Sequence, residues 1–261
     1  ISPTVFLFGY IKSDPDMQAP TGKDGVAALT GQLFSFGSVT RDREILEKNL
    51  DDLAATAKGG TNFSIRSRTQ DFGAALTILA DLELHPAFPQ YAFDLIRQNM
   101  IRLQAGAEQM PAYRFRRSIT NTLMPEGFPS RRMQTMKTLS DLTREDVLSY
   151  YASVYRPDMT TIEVVGDISV EKARRQITAA FGGWKASGPK PDVDLPALPL
   201  RTLPEVQSVK DSVRSQDMVI IAQANAHGWT DPQRYNMMLA DTMLTRGPDS
   251  RLYQDLRIKT G

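Results

Sequence analysis

The chain has 261 residues, with 31 Lys and Arg against 30 Asp and Glu and a net charge of +1. That balance supplies no long-range attraction to nucleic acid or an anionic membrane. The absence of cysteine excludes disulfides and thiolate metal sites, and no apolar run approaches the ~18 residues of a membrane span.

Thr4 to Tyr10 is apolar and β-prone and reads as a buried strand. A polar turn region, Lys12 to Lys23, follows. Gly25 to Phe36 reads as a mostly apolar helix closed by Gly37. Thr40 is the expected cap of a second helix, with Asp42 near its positive end and Leu46, Leu50, Leu53 and Ala57 along one face. Gly59-Gly60 stops it. Thr61 to Thr69 alternates as a strand does, and Phe72 to Leu84 reads as a helix ended before Pro86.

Phe93, Ile96, Met100 and Leu103 recur at helical spacing. Further helices are expected over Ala112 to Leu123 and Thr143 to Tyr155, the latter opened by a Thr143/Asp146 capping box. Short basic runs, Arg114-Phe115-Arg116-Arg117 and Arg131-Arg132, read as solvated helix faces. Thr160 to Val165 is a further strand, and Ser169 caps a helix running to Phe181.

The texture then changes. Ala186 to Pro204 holds five prolines and little periodicity, which reads as an extended connector outside any core. Beyond it come an expected strand at Met218 to Ala222 and helices over Asp231 to Leu244 and Ser250 to Ile258. This order repeats the order at the start, with Gly247 standing where Gly37 stands. The expected organisation is a first α+β domain over residues 1–185, a linker over 186–204 and the start of a second, homologous domain over 205–261, cut short. The start at Ile1 has neither an initiator Met nor a signal-peptide pattern, so an excised or processed segment is expected.

Several segments in this order carry a family likeness. They are Gly25-Val26-Ala27-Ala28-Leu29-Thr30-Gly31-Gln32-Leu33-Phe34-Ser35-Phe36-Gly37-Ser38; His85-Pro86-Ala87-Phe88 with Phe93; Tyr155-Arg156-Pro157-Asp158-Met159 leading to Val164-Val165-Gly166-Asp167; Phe181-Gly182-Gly183-Trp184; and Ser250-Arg251-Leu252-Tyr253-Gln254-Asp255-Leu256-Arg257. Together they resemble the pitrilysin/insulinase-type (inverzincin) zinc metallopeptidases. The resemblance implies an α+β fold of two homologous domains, each with a mainly antiparallel sheet packed by helices.

In active members of that family the first helix carries His-x-x-Glu-His, whose histidines bind zinc and whose glutamate activates water. The matching positions here are Ala28, Gly31 and Gln32, and the later glutamate ligand falls at Leu103. None of the four supplies a good zinc donor, so the segment is expected to bind no metal and the helix to serve as core. Zinc is expected in a complementary half. The chain has two histidines, His85 and His227, expected to be structural. The resemblance further implies a non-catalytic half that encloses an unfolded peptide with a zinc-bearing half, in the same polypeptide or a partner subunit. Arg257 matches an arginine that helps hold the substrate carbonyl near the zinc; its tyrosine partner would fall past Gly261. No nucleic-acid partner and no membrane span are expected, and a bacterial periplasm or envelope is the favoured location. The alternative is an inactive structural or scaffold relative of the processing-peptidase family.

Overall fold

The computed structural model describes residues 3–198, 205–208, 219–224, 228 and 230–260. In chain order the elements are β1 (Thr4–Ile11), α1 (Pro15–Gln18), α2 (Val26–Leu33), α3 (Arg43–Asp52), β2 (Thr56–Lys58), β3 (Asn62–Arg68), α4 (Phe72–Leu84), α5 (Gln90–Gln109), α6 (Pro111–Leu123), α7 (Met136–Ser140), α8 (Arg144–Val154), β4 (Thr160–Gly166), α9 (Val170–Phe181), α10 (Gln233–Thr245) and α11 (Arg251–Tyr253). A π-helical stretch, Gln254–Lys259, continues α11. The architecture is α+β.

The sheet is antiparallel in the order β2-β3-β1-β4. Leu7 on the central strand stands opposite Ile65 of β3 and Val164 of β4. Alternation along β1 buries Val5, Leu7 and Ile11 and turns Phe6, Phe8 and Tyr10 to the open face. Gly9 lies opposite Phe63, and a Cβ there would collide with the Phe63 ring. The missing side chain is what lets that ring cross β1 and reach Phe181, 5.9 Å away between centroids. Helix α4 packs on β3, and α9 packs on α4.

Several expectations change in detail. Asp42, not Thr40, caps α3, its carboxylate accepting from the Ile45 amide at 2.9 Å. Thr40 instead donates to the Asp81 carboxylate at 2.5 Å. Helix α3 ends at Asp52, because Ala54 takes a positive φ of 47°. Ala57 therefore sits in β2, a strand that the helical spacing of leucines had hidden. The Thr143/Asp146 capping box is present. The turn region before Lys23 holds the short helix α1, capped by Asp14.

On α5 the buried stripe runs through Phe93, Ile96 and Met100 to Gln104, while Leu103 is 65% exposed. Four-residue steps continue the stripe to Gln104 and carry Leu103 off it. The connector is also not free of the core. Val193 is buried, and Arg156, 4% exposed, donates to the carbonyls of Ser187, Gly188 and Pro189. Residues 219–224 carry no strand, since no described strand lies beside them to complete a ladder, and Val219 and Ile221 are exposed. Met218 lies outside the described residues.

Candidate functional site

Helix α2 starts at Gly25, whose φ of 102° suits glycine. Its inner face buries Val26, Leu29, Thr30 and Leu33, and the Thr30 hydroxyl donates to the Val26 carbonyl at 2.8 Å. The outer face presents Ala28, Gly31 and Gln32, all exposed and one turn apart. Helix α5, which carries Leu103, packs alongside α2. The expectation that the whole helix is core is therefore half right. The face that the resemblance sets at the metal is open to solvent: Ala28 and Gly31 have almost no side chain, and Gln32 is exposed.

Those positions do not fit zinc. Ala28, Gly31 and Leu103 have no donor atom, and Gln32 offers only a neutral amide. Among the described residues no three His, Cys, Asp or Glu side chains form a metal-holding group. His85 is the C-cap residue of α4, its amide donating to the Asp81 carbonyl, and its ring is largely exposed 3.5 Å from the Asp81 carboxylate. His227 lies outside the described residues. Arg257 is exposed on the π-helical stretch that continues α11.

Beside the open face of α2 the chain forms a depression of ≈ 400 Å³, lined among others by Asp16, Asp24, Ala28, Gly31, Gln134, Tyr150 and Tyr155. Arg132 builds its rim. Its guanidinium donates to the Asp24 carboxylate at 2.8 Å and to the carbonyls of Ala19 (2.8 Å) and Pro20 (2.7 Å), fixing the turn that precedes α2. Gln134 is held in turn. Its amide donates to Gln104 Oε1 at 3.1 Å, and Gln104 donates to Glu108, which also accepts from the Met136 amide. Burial raises the Tyr150 phenol to about 12 and Tyr155 well above its ordinary value. Both therefore stand as neutral hydroxyls at physiological pH.

An aromatic cluster backs this floor. Phe34 stacks on Tyr155 at 5.2 Å and meets Phe88 edge-on at 5.3 Å, and Tyr151 lies 4.8 Å from Tyr155. Reasoning from spacing missed the depression, since its walls come from segments more than a hundred residues apart.

Comparison with known proteins agrees with the family likeness. Residues 141–261 match the family described as the peptidase M16 inactive domain. An uncharacterized zinc protease of Streptomyces coelicolor is 24% identical over 215 residues, a match covering 80% of this chain and 46% of that protein. The chain thus spans about half the length of the curated relative it matches. Among solved structures, a peptidase M16 inactive domain from Pseudomonas fluorescens aligns with a TM-score of 0.70 at 16% identity, covering 99% of this chain and 63% of that one. A protease from Helicobacter pylori aligns with a TM-score of 0.62 at 15% identity, covering 76% of this chain and 49% of that one. The first half of the periplasmic protease PqqL from Escherichia coli gives 0.60 at 17% identity, covering 76% and 45%. These structural likenesses bear on the fold.

Proposed function

We propose that this chain, whose residues 141–261 match the peptidase M16 inactive domain, is the non-catalytic, substrate-binding half of a zinc metalloendopeptidase. In this reading it encloses an unfolded peptide together with a zinc-bearing half, supplied by the same polypeptide or by a partner subunit. The observation that carries the reading is the open face of α2. The helix keeps its buried side, while the positions that would hold and work a zinc are Ala28, Gly31 and Gln32, with Leu103 on the neighbouring helix.

Within that reading the chain contributes recognition and charge. Arg257 helps hold the substrate carbonyl, where a guanidinium stabilises developing oxyanion charge. Its exposure supports a role toward something outside the described residues. The sheet ends in β2 on one side and β4 on the other, so an extended peptide can add a strand at either edge. Residues 1–185 form the first domain, 186–204 the linker and 205–261 the start of a homologous second domain. A bacterial periplasmic or envelope location suits the reading, and no helix of the described residues is long and apolar enough to cross a membrane.

The test is made on the full chain. After equilibration with zinc and desalting it should retain no stoichiometric metal. It should bind unfolded peptide without cleaving it, and cleavage should begin when the zinc-bearing half is added. One zinc retained per chain overturns the assignment, and failure to bind any peptide favours the scaffold alternative.

A further inference from the structure

The depression against α2 has features that a merely vacated surface lacks. Tyr150 is 3% exposed, lines the depression, and its hydroxyl makes no hydrogen bond among the described residues. The ring is buried while the hydroxyl borders the depression, so its oxygen is free to accept from a group that enters there. The Gln134 amide oxygen lies over Gly25 with no donor to it among the described residues, its own amide nitrogen being committed to Gln104. Asp16, half-buried on the rim, has no ion pair and no side-chain hydrogen bond among the described residues. The Asp14 carboxyl is close enough to raise the Tyr150 phenol.

The cationic side is already satisfied. Arg132 is the only Lys or Arg in the lining, and Asp24 neutralises it while three carbonyls take its remaining donors. What is left over is a surplus of acceptors: the Asp16 carboxylate, the Gln134 oxygen and the Tyr150 hydroxyl. The floor between them is Ala28 and Gly31, which leaves room for an incoming chain. The volume, ≈ 400 Å³, suits one amino-acid side chain or a chain end.

We propose that this depression receives a positively charged nitrogen of a bound peptide, an ammonium or guanidinium that donates to Tyr150, Gln134 and Asp16. The inference rests on the peptide-binding reading for its ligand and adds to it a preference for basic residues or a free amino terminus. An ammonium carries three donors and no acceptor, which matches the unpaired set. Its charge offsets the net negative lining, so the attraction weakens as salt rises.

The experiment titrates the full chain, labelled with ¹⁵N, with three small probes. Nα-acetyl-lysine amide carries only a side-chain ammonium, norleucine amide only a free α-amine, and Nα-acetyl-norleucine amide neither. Saturable shifts of the Gly25 and Gly31 amides are expected with one or both charged probes and not with the neutral one. Which charged probe acts tells a basic side chain from an amino terminus. Gly31→Leu should abolish the response while leaving the protein folded, because a Cβ at Gly31 meets nothing within 4 Å. Tyr150→Phe and Asp16→Asn should each weaken it by about threefold to tenfold, the loss of one hydrogen bond.

No response to either charged probe, an equal response to the neutral probe, or a response unchanged by Gly31→Leu overturns the proposal. An unfolded peptide titrated in parallel separates it from the broader reading. Peptide binding without any amine response sinks the pocket alone. An amine response without peptide binding sinks the broader reading and leaves the pocket standing.

Discussion

Glu83 accepts a 2.7 Å hydrogen bond from the Gly60 amide through Oε1, while its Oε2 is buried without a partner. The carboxyl is fully enclosed beneath the Gly59-Gly60 turn, near the phenols of Tyr151 and Tyr155 and, among the described residues, beside no basic group. Burial pushes its pKa well above the ordinary carboxylate range, and the Gly60 bond opposes this only in part. A folded-state pKa above the unfolded one means that the native state holds the proton longer. The stabilisation is full below the unfolded value of about 4.3 and is lost as pH rises toward the folded value. Glu83→Gln, which cannot ionise, should therefore be more stable than the parent at pH 8 and show a flatter dependence between pH 5 and pH 8. Urea unfolding at the two pH values checks this. Equal slopes for the two proteins would mean that Glu83 is already ionised in the fold.

Two neighbours around α2 should respond with opposite signs. Phe34, fully enclosed among Phe88, Tyr151 and Tyr155, leaves a large cavity when truncated, and Phe34→Ala should cost about 3–5 kcal/mol. Gly31→Ala adds a methyl to an open helical position and should gain about 0.5–1 kcal/mol. Denaturant midpoints measure both. A loss on Gly31→Ala would contradict the open face that the candidate site depends on.

How far the sequence speaks is visible on these same elements. The alternation of β3, the capping box of α8 and the extent of α4 follow from local spacing, and the structure has them where the sequence sets them. Local spacing failed where a leucine repeat ran past a helix end into β2, and where Leu103 shared the rhythm of the α5 stripe without sharing its face. It failed again at the connector, because one guanidinium pins a proline-rich segment that has no periodicity of its own. The acceptor-lined depression was out of reach for the same reason. Arg132, Gln134 and Tyr150 meet Asp16 and Gly31 only after the chain has closed over more than a hundred residues.

If Ala28, Gln32 and Leu103 occupy the places of metal ligands, restoring donors should restore the metal. Ala28 and Gln32 stand one turn apart on the exposed face of α2, the spacing at which two imidazoles share a zinc. The triple variant Ala28→His, Gln32→His, Leu103→Glu should retain close to one zinc per chain after desalting, where the parent retains none. The double histidine variant alone should hold the metal more weakly. A triple variant no better than the double would show that Leu103 does not face α2 across the site.

Arg257 is exposed on the π-helical stretch beyond α11, so its truncation should leave the fold within about 0.5 kcal/mol of the parent. In the peptidase assembled with its zinc-bearing half, Arg257→Ala should lower kcat by about 10²-fold with a smaller change in KM, as for loss of an oxyanion donor. Arg257→Lys should recover part of the loss, since a point charge replaces the planar fork. An unchanged kcat would assign the substrate carbonyl to another residue, with Arg251 the first to examine.

Arg156, just before β4, ties that part of the chain to residues 187–189. Its guanidinium pairs with Asp158 at 2.9 Å and donates to Ser187 (2.6 Å), Gly188 (3.2 Å) and Pro189 (3.0 Å). The Asp158 partnership holds that carboxyl below its ordinary value and the guanidinium above, so the pair stays charged throughout the physiological range. Three carbonyls and the two Asp158 oxygens together take five donors in the fixed directions of one planar fork, which lysine cannot supply. Both Arg156→Ala and Arg156→Lys should therefore free residues 187–189 and quicken limited proteolysis there, while α8 and β4 keep their hydrogen-exchange protection. Lys12, bonded to Asp194 at 2.7 Å but largely exposed, should matter far less when truncated. If Arg156→Lys resists protease as well as the parent, the connector is held by the burial of Val193 rather than by the guanidinium.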